Sequence, residues 1–260
     1  MLTVLFAAPA TLWPKYESHL AAAFSQAGLA VRMATPDTAP ETVDYIIYAP
    51  SGPLTDFSPY CNVRAVLSLW AGVERIVSNP TLTQPLARMV DPALTEGMVE
   101  WVTGHVLRYH LGMDAHILGQ DGIWRGAVTP PLARERGVTI LGLGELGSAC
   151  ASALATLNFR VTGWSRSPRA LSGVNCVAGQ EALASALAGG EILVTLLPNT
   201  PDTENLLNAA TLAQLPRGAR LINPGRGNVI DDAALLAALD SGQIGHATLD
   251  VFRTEPLPAE

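Results

Sequence analysis

Gly142, Gly144 and Gly147 stand in a G-x-G-x-x-G spacing, directly after residues 138–141 and before residues 148–157. The first segment is apolar or β-branched and reads as a short buried strand. The last is Ala-rich and reads as a helix. A strand, a glycine turn and a helix in that order make a site for a dinucleotide pyrophosphate. The first glycine permits the tight turn and the second lets phosphates approach the backbone. The third lets helix and strand pack closely, and the helix N-terminus offers free N–H groups to the anion. Glu145 and Leu146 fill the positions between the second and third glycines.

An acidic residue roughly 20 positions beyond such glycines holds the ribose 2′-hydroxyl of NAD. Here the strand-like segment 160–164 is followed by Ser165, Arg166 and Ser167, then Arg169, with no carboxylate. A guanidinium flanked by hydroxyls suits a 2′-phosphate, which needs cationic, bidentate donors. The expected cofactor is therefore NADP(H) in preference to NAD(H).

These groups need a scaffold, and the chain supplies a regular alternation. Residues 2–7, 30–34, 45–48 and 65–69 read as strands, and 14–27 as a helix ended by Gly28. Asp91-Pro92 resembles a helix start, and a helical pattern runs on to about Leu118. A loop with Gly122, Gly126, Pro130 and Pro131 follows. Beyond the glycine turn, strands are expected at 160–164, 192–196, 220–222 and 247–251, with helices at 179–188, 203–215 and 231–241. Continuous apolar runs rather than strict alternation indicate parallel strands covered on both faces. The fold class expected is α/β: two Rossmann-like or flavodoxin-like parallel-sheet domains with a cleft between them. Residues 1–92 would form a substrate-binding domain and 93–260 a dinucleotide-binding domain.

Composition narrows the function. The chain has 260 residues, 48% hydrophobic, with net charge −7 and no basic cluster, which argues against a nucleic-acid surface. Cys61, Cys150 and Cys176 are odd in number and lack C-x-x-C spacing, so neither a disulfide framework nor a zinc site is indicated. Cys150 reads as a small core residue. No apolar run reaches the roughly 18 residues of a membrane span, and the apolar N-terminus lacks a basic leading region. A soluble cytoplasmic protein is expected.

Three further stretches carry a resemblance. They are Leu196-Leu197-Pro198-Asn199-Thr200-Pro201-Asp202-Thr203, Asn223-Pro224-Gly225-Arg226-Gly227-Asn228-Val229-Ile230-Asp231, and Leu249-Asp250-Val251-Phe252-Arg253-Thr254-Glu255-Pro256-Leu257-Pro258. With the glycine turn, they resemble the signatures of the D-isomer-specific 2-hydroxyacid dehydrogenases. The 164–167 turn and the 69–74 loop are similar to those of the NADPH-dependent glyoxylate/hydroxypyruvate reductases in that family.

The resemblance implies hydride transfer between a nicotinamide and a small 2-oxo acid. Arg226 would hold the substrate carboxylate and polarise its carbonyl. The backbone of Trp70, Ala71 and Gly72 would take the carboxylate from the first domain. Leu197, Pro198, Thr203, Pro224, Gly225 and Arg226 would line the cofactor. Asp250 would accept hydrogen bonds from the nicotinamide amide or ribose, and Met98 would pack near the nicotinamide. Glu255 would pair with a catalytic histidine, raising its pKa so that it donates a proton near neutral pH.

That histidine lies downstream of the Glu-Pro-Leu-Pro segment in the family. None of His19, His105, His110, His116 and His246 follows Glu255. The first expectation is a partial version of a longer enzyme, which also lacks the family's last strand and C-terminal helix. The other is a natural short form with impaired proton transfer, or a non-catalytic dinucleotide-binding protein. Another 2-oxo acid as substrate also stays open. His105, His110 and His116 lack the i, i+4 spacing of a helical metal pair and read as structural or exposed. Glu145 stands where the family often carries arginine or an apolar residue, and should point outward. The resemblance further implies a homodimer through the dinucleotide-binding domain, with Trp124 in a loop that crosses between the subunits.

Overall fold

A computed structural model describes residues 1–35, 37–124 and 129–259; Gly126 of the expected loop and Glu260 lie outside the described residues. The chain divides into two compact units, Met1–Asp91 and Pro92–Glu260.

The first unit carries a five-stranded sheet. Its strands are β1 (Leu2–Ala7), β2 (Val31–Met33), β3 (Tyr45–Tyr48), β4 (Ala65–Ser68) and β5 (Leu86–Ala87), in the order β2-β1-β3-β4-β5. Every pairing is parallel, and this is the flavodoxin-like order. Helix α1 (Trp13–Gln26) lays Trp13 and Tyr16 against Phe6 of β1, with ring centroids 5.1 and 5.9 Å apart. It stops before Gly28, which sits at φ +66°. A core of Ile46, Tyr48, Phe57, Val66 and Ile76 lies beside the sheet, with Ile76 from the short α2 (Glu74–Val77).

The second unit holds β6 (Gly137–Leu141), β7 (Arg160–Ser165), β8 (Val174–Ala178), β9 (Ile192–Thr195), β10 (Ala219–Asn223) and β11 (Ile244–Leu249). Their order is β11-β10-β9-β6-β7-β8, again all parallel. This is the doubly wound Rossmann order, with the switch between β6 and β9. Every residue of β6 and β9 is buried. Side-chain alternation then separates two cores. Val138, Ile140, Ile192, Val194 and Ile222 face α3 (Pro92–His110) and α5 (Glu145–Thr156). Leu141, Leu193 and Leu221 face α6 (Leu183–Ala188), α7 (Ala209–Leu212) and α8 (Asp232–Asp240). The one polar group within β6, the Thr139 hydroxyl, is buried and donates to the Ala186 carbonyl at 2.7 Å.

Several elements depart from the sequence reading. The helix expected to reach Leu118 ends at His110, because Gly112 adopts φ +64° and a separate turn, α4 (Met113–Ile117), follows. Strands β5 and β8 went unseen: the first has only two residues, and the second is an edge strand with polar Asn175 in it. The helix expected over 203–215 shrinks to α7. Residues 205–207 instead bond to the chain beyond β10, through Asn205 N to Asn228 O at 2.9 Å and Leu207 N to Val229 O at 3.0 Å. Asn208 then caps the short helix through its side chain. Tertiary pairing outweighs helix propensity there. The strand expected over 247–251 begins earlier, so His246 lies inside β11.

His110 is buried, packs edge-on against Phe159 at 5.0 Å, and its Nδ1 has no hydrogen-bond partner among the described residues. Burial pushes its pKa below the ordinary 6.5, with Arg136 adding to the effect and Glu191 opposing it. Burial lowers His105 in the same way. The unfolded chain therefore binds protons that the folded chain refuses as pH falls below 6.5, so acid costs stability. His110→Phe keeps the ring packing and removes one such group. Denaturant titrations between about pH 7 and 5 should show a shallower loss of stability for the variant. An unchanged slope would show that His110 is not among the groups responsible.

Candidate functional site

The glycine turn at the end of β6 has the geometry its spacing implies. Gly142 sits at φ +102°, and its N–H donates to the Trp164 carbonyl at 2.8 Å. A Cβ on Gly142 would come within 2.7 Å of the Leu196 carbonyl oxygen. A Cβ on Gly147 would collide with the Gly142 carbonyl, so helix α5 can lie against the turn only because that position is bare. Gly144 is different. It is the N-cap of α5, and a Cβ there would meet no atom within 4 Å. No protein packing requires glycine at 144; the bare backbone faces open space in front of a helix N-terminus. The first intrahelical bond runs from Ser148 N to Gly144 O at 2.9 Å. The amides of Glu145, Leu146 and Gly147 precede it, and helices leave such groups without intrahelical acceptors. These residues fit a pyrophosphate. Glu145 is exposed.

The parallel sheet brings many of the other predicted residues to this same carboxyl edge. Leu141 is in register with Trp164 on one side and Thr195 on the other, and Asn223 with Leu249. Along the edge the sequence-predicted groups therefore succeed one another: Ser165 at the end of β7 with Arg166 and Ser167 beyond it, Gly142–Gly147 after β6, Leu197 and Pro198 after β9, Pro224–Arg226 after β10, and Asp250 after β11. Ser165 is buried and donates to the Ser167 carbonyl at 2.8 Å, which curls the turn and leaves Arg166 and Ser167 exposed. Thr203 is buried, and its hydroxyl donates to the Pro198 carbonyl at 2.6 Å. It holds the Leu197-Pro198 loop rather than standing open itself. Asp250 is exposed, with its N–H on the Asn223 carbonyl at 3.0 Å. Met98 packs into the α3–α5 core, where its carbonyl lies 3.9 Å from the Cys150 sulfur. Burial pushes that thiol up to about 12, so it is an inert core group.

Arg226 is half-buried, with Nη1 on the Gly225 carbonyl at 2.8 Å. Its loop is held by a residue that sequence reasoning gave no role, Asn223. The Asn223 side chain is fully buried; it donates to the Arg226 carbonyl and accepts from the Gly225 N–H, both at 3.0 Å. A buried amide with both ends satisfied fixes a loop in one conformation. Its place at a strand end was the available signal. Glycines on both sides of Arg226 leave room for a close approach. What approaches them is the chain itself. A Cβ on Gly225 would lie 2.9 Å from the Thr195 carbonyl oxygen, and one on Gly227 would collide with the backbone of Phe252 and Arg253. Glu255 is exposed, and its Oε1 accepts from the Phe252 N–H at 2.9 Å.

In the first unit, Trp70, Ala71 and Gly72 follow β4. The expectation for Trp70 needs correcting. Its N–H already donates to Ser68 Oγ at 3.0 Å, and Ser68 Oγ donates back to the Trp70 carbonyl at 3.0 Å. An anion at this turn has the Ala71 and Gly72 amides to use, not that of Trp70. The histidines behave as structural or exposed groups. His105 stacks on Trp101 at 4.3 Å, and His19 and His116 are exposed. His246 Nδ1 is 2.8 Å from the Tyr109 hydroxyl. Trp124 is 93% exposed, with no cover from the described residues. No helix among the described residues is long and apolar enough to cross a membrane.

Residues 105–260 match the family described as D-isomer specific 2-hydroxyacid dehydrogenase, NAD binding domain. Glyoxylate/hydroxypyruvate reductase A of Serratia proteamaculans is 41% identical over 204 residues, 75% of this chain and 65% of that protein. The chain thus spans just under two thirds of the curated relatives it matches. Among solved structures, a D-isomer specific 2-hydroxyacid dehydrogenase from Xanthobacter autotrophicus Py2, in complex with NADPH and MES, is 43% identical. It superposes with a TM-score of 0.90 over 99% of this chain and 82% of that one. An NADPH-dependent glyoxylate/hydroxypyruvate reductase from Sinorhizobium meliloti, in complex with NADP and sulfate, is 36% identical. Its TM-score is 0.86 over 100% of this chain and 84% of that one.

Asn223→Ala removes both side-chain bonds that hold the Arg226 loop and strands a buried N–H. The loss should be about 2–4 kcal/mol, read as a lower midpoint in urea with an unchanged slope. Asn223→Asp, which sets a buried carboxylate oxygen against the Arg226 carbonyl oxygen, should cost at least as much. A midpoint within error of the parent would remove Asn223 from the account of how Arg226 is held.

Proposed function

The chain belongs to the D-isomer-specific 2-hydroxyacid dehydrogenase family, and on that basis we propose that it reduces a small 2-oxo acid, of the glyoxylate or hydroxypyruvate kind, with NADPH. The observation that carries the reading is the bare Gly144 in front of α5, one strand away from a turn that presents Arg166 and no carboxylate. The names of the relatives support the substrate class, and the NADPH and NADP bound in the solved relatives support the cofactor.

The first-turn amides of α5 would hold the pyrophosphate of the coenzyme, with Gly142 and Gly147 shaping the turn. Arg166, with Ser165 and Ser167, would take a 2′-phosphate, since a planar guanidinium binds such an anion by two parallel hydrogen bonds. Leu197, Pro198, Pro224 and Gly225 would line the same edge. Thr203 would fix the Leu197-Pro198 loop, and Asp250 would accept a hydrogen bond from the nicotinamide half. Met98 would support that half from α3. When bound, the coenzyme supplies a hydride.

Arg226 would bind the substrate and polarise its carbonyl oxygen, where negative charge develops. Held by Asn223, it needs little reorganisation to do so. In the first unit, we assign the 70–72 turn to the substrate carboxylate, through the Ala71 and Gly72 amides. Glu255 keeps one oxygen on the Phe252 N–H, and a carboxylate has acceptor capacity left to orient a protonated imidazole. We also assign the second unit to a homodimer contact, for which the exposed Trp124 is the supporting observation.

Following NADPH absorbance with a panel of 2-oxo acids tests the reading. Glyoxylate or hydroxypyruvate should give the highest kcat/KM, and no turnover with any member would overturn the proposal. Arg226→Ala should lower kcat/KM by about 100-fold or more while the coenzyme still binds. Arg166→Asp should raise KM for NADPH by about tenfold or more and leave that for NADH nearly unchanged. A uniform effect on both coenzymes would sever Arg166 from the 2′-phosphate.

A further inference from the structure

One guanidinium joins the loop that carries Arg226 to the segment that carries Glu255. Arg253 Nη2 donates to the Ile230 carbonyl at 2.6 Å, to the Asn228 carbonyl at 3.3 Å and to the Asn205 side-chain oxygen. Its Nη1 lies 3.7 Å from Glu204, and its Nε 3.6 Å from Asp232. Three chain segments therefore meet on one side chain: 204–205 before α7, 228–232 after β10, and 253 itself. Arg253 follows Gly227 in another sense. The backbone at 252–253 lies so close to Gly227 that a Cβ there would collide with it. Arg226 precedes that glycine by one residue, and Glu255 follows Arg253 by two.

We propose that Arg253 is a positioning residue that sets Arg226 and Glu255 relative to each other. This rests on the proposed reduction, which assigns those two residues their roles. The ion pairs with Glu204 and Asp232 are long and contribute little, since both carboxylates are more than half exposed. The hydrogen bonds to backbone carbonyls matter more. They accept on the far loop, so they fix where the Glu255 segment lies against it. A rigid five-donor fork can serve several acceptors at once, which a lysine ammonium cannot do with the same geometry. Losing the fork leaves the Gly227 contact as a pivot, about which the Glu255 segment can swing. Misplacing a catalytic group by about 1 Å can cost about 100-fold in rate. The coenzyme turn at Gly142–Gly147 has no bond to Arg253, so coenzyme affinity should be spared.

Three measurements on the full chain test this, for the parent, Arg253→Ala and Arg253→Lys. They are kcat and KM for glyoxylate, the Kd for NADPH, and amide hydrogen exchange in 226–230 and 252–255. Arg253→Ala should lower kcat by about 30-fold, with the NADPH Kd within about threefold of the parent. Exchange in both segments should be faster, and Arg253→Lys should recover part of kcat. A kcat within about threefold of the parent would overturn the proposal, as would a loss matched by an equal loss of NADPH affinity. If the parent turns over no 2-oxo acid, the proposed reaction fails by itself. Exchange then decides for Arg253: acceleration confined to those two segments supports the positioning role, and unchanged exchange ends it.

Discussion

The contact between Gly147 and the Gly142 carbonyl is the constraint on which the second unit depends. A side chain at 147 would push α5 away from the end of β6. With none there, α5 begins directly over the turn, and its N-terminus points along the carboxyl edge of the sheet. The same helix buries Cys150, Ala151 and Leu154 against Val138 and Ile140. The packing that stabilises the unit and the placement of the α5 amides are therefore one arrangement. Gly144 then stays bare for a different reason, since no protein atom competes for the space beside it.

A parallel sheet puts every strand's carboxyl end on one edge, so loops that are distant in sequence become neighbours there. What the sheet does not supply is order within those loops. Polar groups supply it. Asn223 closes the Arg226 loop from beneath, Thr203 ties the 197–203 loop, and Ser165 curls the turn before Arg166. The backbone pairing of 205–207 with 228–231, stapled by Arg253, joins two of these loops into one body. Arg166 and Arg226 are thus carried on loops whose conformations are set by short polar side chains bonded to the backbone.

Much of this was legible in the sequence. Buried parallel strands announce themselves as apolar runs, which is why β1, β3 and β9 fall where their residues suggest. The glycine spacing carried its own geometry. The misses have physical causes. Residues 203–208 look helical by composition, but the amides of Asn205 and Leu207 find acceptors beyond β10, and no local pattern encodes a partner about twenty residues away. The glycines at 225 and 227 were legible as special but not in their reason, because what crowds them is the chain's own backbone. The Trp70 amide is held by the hydroxyl of Ser68, two residues earlier, a turn contact that residue type alone does not announce. Arg253 gave no signal at all, since a loop arginine acquires its partners only from the tertiary fold.

On the proposed function, the carboxyl edge beside Gly144 and Arg166 holds a phosphorylated dinucleotide. A crystal structure of this chain grown with NADP tests it most directly. Pyrophosphate oxygens should lie at hydrogen-bond distance from the first-turn amides of α5, and the 2′-phosphate at hydrogen-bond distance from the Arg166 guanidinium. A pyrophosphate away from α5, or a 2′-phosphate turned to solvent with Arg166 uninvolved, would contradict it.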